Sequence, residues 1–551
     1  MSEQDKKKSN KLRKIGHILK WIGLTLLAVL IILALIFQAP WKVITLLLII
    51  LAACTVLPKP ARKWFWLSAA AIVIALIIWV FLPEDSEGWR PFTFDEELAT
   101  LEAKYAIPDS ENAAKIYNEL LEDCDPNTMH PDFLEPNLDN LTLREPWSSQ
   151  DYPELAQWLE DHQDTIAKLL EASKVEKCAF PITHDILSMS DAVYYLPKIR
   201  QWAFLLVRAG NNDMADGRIE EGLKKYLCVK KIGGHMQQQS SMVEILVGMA
   251  VEDLADARFK AFIVTADAAE EHLSIIEKAV MDIKHDWNYD FLRILECEKL
   301  TFKNFLGMFY VVNSEGKIKV NPGIAKKAIM TRLPEDMKNE ITRKYWQRKL
   351  IKASTIWAWF YMPSSPQKAG EIIDAKYEKY YAMTEPDFDW QREPPELPEL
   401  ISLLTQWNFT RIGFDFNYFT EFTIAMVEGI YYRFHDLYLR NITEQRGNQL
   451  VIALRRYKNK TGQWPQKLDD VKALTPAEIH VDPINGGSFV YKLTEENFTL
   501  YSKGKNNIDE GGKRDPESGA DDWLIWPRKA RKTKNGKADT AQSNTKKDVV
   551  K

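Results

Sequence analysis

Oxygen-donor side chains crowd one short stretch of this chain. Between Leu500 and Asp522 it carries Asn506, Asn507, Asp509, Glu510 and a closing pair, Asp521-Asp522, with Gly504, Gly511 and Gly512 among them. Calcium takes six to eight oxygens from carboxylates, amides and backbone carbonyls, and glycines let a chain bend around such an ion. Hard-cation binding is therefore the chemistry expected of this loop. The plain alternative is an acidic, solvated loop, because Asn, Asp and Gly also favour the conformations that turns require.

Signatures of other chemistry are missing. No phosphate-binding Gly-x-x-x-x-Gly-Lys-Ser/Thr, nucleophile elbow Gly-x-Ser-x-Gly or zinc-protease His-Glu-x-x-His occurs. Ser314-x-x-Lys317 and Ser365-x-x-Lys368 have the spacing of a Ser/Lys nucleophile pair but lack companion motifs, and Ser365 precedes a proline at an expected helix start. The histidines are dispersed, and His285 and His435 read as helix-surface residues. The acid pairs Glu270-Glu271 and Glu495-Glu496 read as solvated faces or turns. No catalytic or cofactor-binding residue is assigned, and the chain is not expected to be an enzyme. The competing expectation is an enzyme whose site lies in a cleft of the helical region, with polar residues that converge only in three dimensions.

The elements that must position the acidic loop are legible. Phe489, Tyr491 and Leu493 alternate with Val490 and Lys492, and Phe498 and Leu500 alternate with Thr499 and Tyr501, which predicts a strand pair turned at 494–497. Upstream, apolar residues keep steps of three and four through Val427, Ile430, Phe434, Leu437, Leu450, Leu454 and Tyr457, predicting a long helix that Gly447 either interrupts or weakens. From about 92 to 446 the pattern is mostly helical, with helices expected at 152–173, 192–208, 214–232, 242–262, 268–283, 289–309, 335–361 and 366–381, and another starting after Asp109-Ser110-Glu111. No fixed repeat period is present, so an irregular helical domain is expected rather than a regular array. Prolines at 386, 394, 395 and 398 mark a linker or extended strap. The aromatic run from Ile356 to Pro363 is expected to pack between helices. The Lys-rich tail after residue 527 has almost no apolar residues and is expected to be disordered.

Taken in order, the end of the chain has an amphipathic helix ending in Tyr457, a Gly462/Trp464-Pro465 break, an Asp482-Pro483 turn, a hairpin and the Asn-, Asp- and Gly-rich loop. Over residues 446–527 this order resembles the globular head of the type II secretion major pseudopilin, an α+β module whose loop binds calcium. The family pattern is Tyr-Ser-x-Gly-x-Asp, then Gly-Gly, then a closing Asp-x-Asp. Tyr501, Ser502, Gly504, Gly511 and Gly512 match it, Asn506 stands where Asp is expected, and Asp521 or Asp522 matches the closing acids. The resemblance thus implies calcium held by Ser502, Asn506, Asp509, Asp521 and Asp522. Asn506 keeps an oxygen but removes a charge, and Asp509, in a lengthened loop, restores one. Pseudopilins also carry an apolar stem beginning Phe-Thr-Leu-x-Glu. Phe422-Thr423-Ile424 echoes it, but Glu428, Arg433, His435, Asp436 and Arg440 follow, so a head without the filament-forming stem is expected. The whole chain also resembles a bacterial membrane-anchored family of unassigned function. That likeness is carried by Asn112-Ala113-Ala114-x-x-Tyr117 and by Ile452-Ala453-Leu454-x-x-Tyr457 with Trp464-Pro465-x-x-Leu468, and it implies no established reaction.

The 551 residues, 46% hydrophobic and 27% charged, are enough for several domains, and the net charge of −5 argues against a nucleic-acid partner. Three apolar runs, at about 15–37, 41–57 and 64–82, can each cross a hydrocarbon core of roughly 30 Å, the second only just, since a rise of about 1.5 Å per residue leaves it little to spare. Lysines and arginines before the first run and between the second and third place those segments on the cytoplasmic side. The expectation is a multi-pass protein of the cytoplasmic membrane, in contact with the lipid bilayer, with its large remaining part extracytoplasmic. A cleaved signal peptide fits less well, because the first run is too long and lacks a small-x-small site. Cys124, Cys178, Cys228 and Cys297 then permit three disulfide pairings, with a reduced core thiol favoured for Cys228.

The expected fold is mainly α: a basic N-terminus (1–14), three transmembrane helices (15–83), an irregular α-helical domain (84–384), a Pro-rich linker or strap (385–398), a long helix with a pseudopilin-like α+β domain and antiparallel sheet (399–527), and a basic tail (528–551). The expected function is an envelope interaction or scaffold protein, with an unidentified envelope protein as its partner.

Overall fold

A computed structural model describes residues 88–123, 129–182, 195–282, 286–320, 362–385, 387–390, 416–495, 497–515 and 518–527. In chain order, β1 (Trp89–Pro91) is followed by α1 (Asp95–Tyr105), α2 (Ala114–Asp123), α3 (Pro136–Arg144), α4 (Pro153–Asp161) and α5 (Gln163–Ala172). Then come α6 (Leu196–Ala215), α7 (Ile219–Gln237), α8 (Met242–Thr265), α9 (Glu270–Asp282), α10 (Trp287–Gly307), β2 (Tyr310–Asn313) and β3 (Ile318–Val320). The chain continues with α11 (Pro366–Tyr381), the long α12 (Phe416–Thr461), β4 (Val490–Leu493), β5 (Phe498–Ser502), β6 (Arg514–Asp515), β7 (Ala520–Asp521) and β8 (Trp523–Trp526).

Local sequence accounts for several boundaries. Ser365 caps α11 by accepting from the Lys368 amide at 3.3 Å, with Pro366 at the first helical position. Ser241 and Glu244 form a reciprocal capping box at the start of α8. The helix expected over 152–173 is two helices, broken at His162, whose Nδ1 lies 2.7 Å from the Trp158 carbonyl. Apolar spacing does not register that kink, because Leu155, Leu159, Ile166 and Leu169 keep helical steps and are all buried on both sides of it. Gly447 does not interrupt α12; a Cβ there would lie 2.7 Å from the Ile525 side chain, so this glycine lets the helix approach strand β8.

Two compact units form. The first draws on Met1–Lys104, Ile182–Ala192 and Phe291–Tyr432. Its described part holds the antiparallel sheet β1-β2-β3, an element the helical pattern did not announce. Lys303 on α10 is buried and joins Glu97 at 2.9 Å and Asp374 at 2.7 Å. Phe291, Tyr380 and Tyr431 pack edge to face with centroids 5.4 Å apart.

The second unit draws on Tyr105–Pro181, Val193–Asp290 and Arg433–Lys551. A single hydrophobic cluster runs from Tyr117, Trp202 and Phe259 to Leu454, Phe498 and Ile525, so the terminal sheet β4-β5-β8 shares its core with the helices. Leu450, Val451, Ile452, Ala453 and Leu454 are all buried, as expected of a helix stretch covered on every side. Helices α7 and α8 meet at backbone contact: a Cβ on Gly248 would stand 2.6 Å from the Gly233 carbonyl oxygen. The hairpin pairs Val490 with Tyr501 and Leu493 with Phe498, as the alternation predicts.

The expectation of three transmembrane helices needs correction. The apolar runs at about 15–37, 41–57 and 64–82 lie outside the described residues, and among the described residues no helix is long and apolar enough to cross a membrane. The long helices are too polar: α8 carries Glu244, Glu252, Asp256 and Lys260, and α12 carries Arg433, Asp436, Arg440 and Glu444. The described fold is mainly helical with small antiparallel sheets, and the three expected transmembrane helices are not supported. The helix expected at 335–361, residues 356–361 of the aromatic run, the strap beyond 390, Cys124 and the tail after 527 also lie outside the described residues. Cys178, Cys228 and Cys297 are buried free thiols.

Candidate functional site

The hairpin and α12 bring the acidic loop together around Gly504. Asp482, buried at the turn before the hairpin, accepts from the Ile484 amide at 3.0 Å and from Asn485 Nδ2 at 2.7 Å, and Asn485 Nδ2 also donates to the Gly504 carbonyl at 2.9 Å. Gly504 has a φ of 66°, and a Cβ there would fall 2.2 Å from Asp521 Oδ1. Only glycine lets the loop's two ends close in this way.

The five expected ligands divide into two groups. Ser502 is fully buried; its hydroxyl accepts from the Gly504 amide at 3.1 Å and is hydrogen-bonded to Asp482. Asn506 Oδ1 accepts from the Ile508 amide at 2.7 Å. Asp509 accepts from Tyr501 at 2.5 Å, from the Gly511 amide at 2.9 Å and from Lys492 at 3.1 Å; the Tyr501 bond leads in holding its carboxyl below the usual range. These three side chains spend their oxygens inside the loop. Asp521 and Asp522 do not. Asp521 Oδ2 accepts from the Lys505 amide at 2.7 Å and Asp522 Oδ2 from the Gly512 amide at 2.7 Å, while each Oδ1 is buried without a hydrogen-bond partner.

Glu510 completes the group, although the family pattern assigns it no position. Its Oε1 accepts from Asn506 Nδ2 at 2.6 Å, and its Oε2 is buried without a partner. Burial, followed by the neighbouring Glu510 carboxyl, pushes Asp522 up to about 6. Carboxylates placed together without a donor between them call for a shared proton or a cation. Glu510 and Asp522, side by side with one unpartnered oxygen each, therefore suit a shared proton or a hard cation, and Asp521 offers a further unpartnered oxygen beside Gly504. Among the described residues no group of three or more His, Cys, Asp or Glu side chains is arranged to hold a metal by itself, so backbone carbonyls and water would have to complete the shell.

A second polar group, unannounced by the sequence, lies inside the same unit. Lys230 on α7 donates to Glu252 Oε1 at 2.6 Å and to Asp256 Oδ1 at 2.8 Å, and all three side chains are at most 1% exposed. Gln237 Nε2 reaches Glu252 Oε2 at 2.6 Å, and Asn441 and Gln445 of α12 also donate to Glu252, at 3.2 and 3.4 Å. Lys260 pairs with Glu444 Oε2, whose Oε1 accepts from Trp523 Nε1 at 2.8 Å. The nearby carboxylates raise Lys230 against the opposing effect of burial, whereas burial pushes Asp256 up to about 6. Asp256 Oδ2 and both polar side-chain atoms of Asn448 have no hydrogen-bond partner. The signal for this seam was available: Glu252, Asp256 and Lys260 lie four residues apart on a helix with apolar residues on every side, leaving them no solvent face.

Comparison with protein families, curated proteins and solved structures returned no match for this chain. The pseudopilin-like resemblance therefore rests on the terminal motifs alone.

Proposed function

We propose that the chain is an interaction or scaffold protein whose terminal α+β module is ordered by calcium in the 502–522 loop. The observation that carries this reading is the set of unpartnered oxygens on Glu510, Asp521 and Asp522 beside a glycine that no other residue type can replace. When bound, calcium would neutralise Glu510 and Asp522, which stand together without a donor between them, and add to the Arg440 charge that faces Asp521. Gly504 keeps Asp521 against the backbone, the Gly512 amide fixes Asp522, and Asn506 orients Glu510. Asp509, Asn506 and Ser502 then act mainly as the internal frame of the loop. Its hydrogen bonds to Tyr501 and Lys492 tie that frame to the hairpin. Calcium titration of the full chain, followed by melting, tests the reading. A rise in melting temperature at millimolar calcium that is lost in Asp522→Asn supports it, and an unchanged melt contradicts it.

One observation favours an enzyme as the second reading. In the first unit Tyr431 donates to Glu298 Oε2 at 2.9 Å, Tyr377 lies beside them, and burial pushes the Glu298 carboxyl up to about 7, a value suited to acid–base chemistry. A screen of the full chain against ester, peptide and glycoside substrates tests it. Turnover that disappears in a folded Glu298→Gln variant supports an enzyme, and no turnover leaves the interaction reading in place.

A further inference from the structure

The buried seam joins three helices to the terminal sheet, and its formal charges do not balance. Lys230 and Lys260 supply two positive charges against three carboxylates, Glu252, Asp256 and Glu444. The charged groups acting on Asp256 are Lys230 from α7 and Glu252 and Lys260 from its own helix, and α12 reaches the same seam through Asn441 and Gln445 on Glu252 and Glu444 on Lys260. Among them only Lys230 donates to Asp256. The other oxygen, Oδ2, is buried and unpartnered.

Lys260 has two carboxylates within reach. It stands four residues after Asp256 on α8, the spacing at which helical side chains meet, and it pairs across the seam with Glu444. Glu444 in turn accepts from the indole of Trp523, the first residue of β8. One end of the terminal sheet is thus fastened through Glu444 to a lysine for which Asp256 competes when it is ionised.

We propose that the seam is a proton-linked latch: a proton taken up by Asp256 leaves Lys260 to Glu444 and fastens β8, and loss of that proton draws Lys260 toward Asp256 and loosens it. The step is a protonation alone, in which solvent supplies the proton and the carboxylate oxygen receives it. The sign follows from the direction of the shift. A carboxyl raised in the folded state from 3.8 to about 6 favours folding most at low pH, and that contribution is lost as pH rises through about 6. The latch does not depend on calcium, so its failure and the failure of the loop reading are separable.

The experiment is hydrogen exchange of the full chain in calcium-free buffer, reading residues 520–526 at pH 5.0 and 7.5 after correction for intrinsic rates. In the wild type, protection of this segment should fall several-fold at the higher pH. In Asp256→Asn, which holds the neutral form permanently, protection should be high at both pH values. Glu444→Gln, which keeps a partner for Trp523 but gives up the charge that holds Lys260, should be weakly protected at both. Two results overturn the proposal: wild-type protection that does not change with pH, or a pH response in Asp256→Asn equal to that of the wild type.

Discussion

The acidic loop and the buried seam use the same side-chain types and reach opposite outcomes. In the loop, carboxylates lie close together in sequence, range from the exposed Asp509 to the buried Asp522, and are held mostly by backbone amides. In the seam, residues between 230 and 445 converge from three helices, and carboxylates are held by lysines and amide side chains with almost no exposure. The loop leaves oxygens of Glu510 and Asp522 without a donor, and the proposed cation would have to come from solvent. The seam meets its carboxylates from within, two lysines against three acids, and so constrains how the helices meet. A buried ion group of this kind is weak evidence of net stability, but removing one partner is costly because it strands the others.

The largest expected effect comes from breaking the seam. Lys230→Met leaves Glu252 and Asp256 buried without their ammonium group, and should cost about 3–5 kcal/mol in denaturant unfolding. A loss below about 1 kcal/mol would mean that water reaches these carboxylates and that the contrast with the loop is false. Next is the helix contact that brings the seam together. Gly248→Ala places a methyl against the Gly233 carbonyl oxygen, an overpacking that should cost about 1–3 kcal/mol in the same measurement.

Smaller effects belong to the loop. Calcium at ten to a hundred times its dissociation constant should stabilise the folded chain by roughly 1.4–2.7 kcal/mol, read as a rise in melting temperature. Asp509→Asn should change stability by less than about 1 kcal/mol, because its partner Lys492 is exposed, and should leave the calcium response intact. A lost calcium response in that variant would place Asp509 among the ligands and redraw the loop.

How much of this was legible depended on whether the deciding contacts are local. Helix Pro366–Tyr381 shows both ends in its own residues, from Ser365-Pro366 to the turn after Tyr381. The 490–502 hairpin likewise follows from local alternation and the turn at 494–497, although Leu500, Tyr501 and Ser502 are buried in succession where the sheet is covered on both faces. Asp521 and Asp522 stand out in sequence because the loop's oxygen donors fall in nearly consecutive residues. Ser502, Asn506 and Asp509 belong to the same pattern, but sequence does not reveal which oxygens the loop uses to hold itself. Glu510 was visible as a donor yet has no place in the family pattern. The seam was harder still, since Lys230 and Glu444 each look like ordinary surface charges on amphipathic helices until their partners are known. Gly447 shows the same limit: its reason is Ile525, far away in sequence.

Hydrogen exchange across the described chain, with and without millimolar calcium at neutral pH, tests the functional account most directly. Slower exchange confined to about residues 503–522, abolished by Asp522→Asn, is the predicted result. Exchange in that loop unchanged by calcium would contradict it.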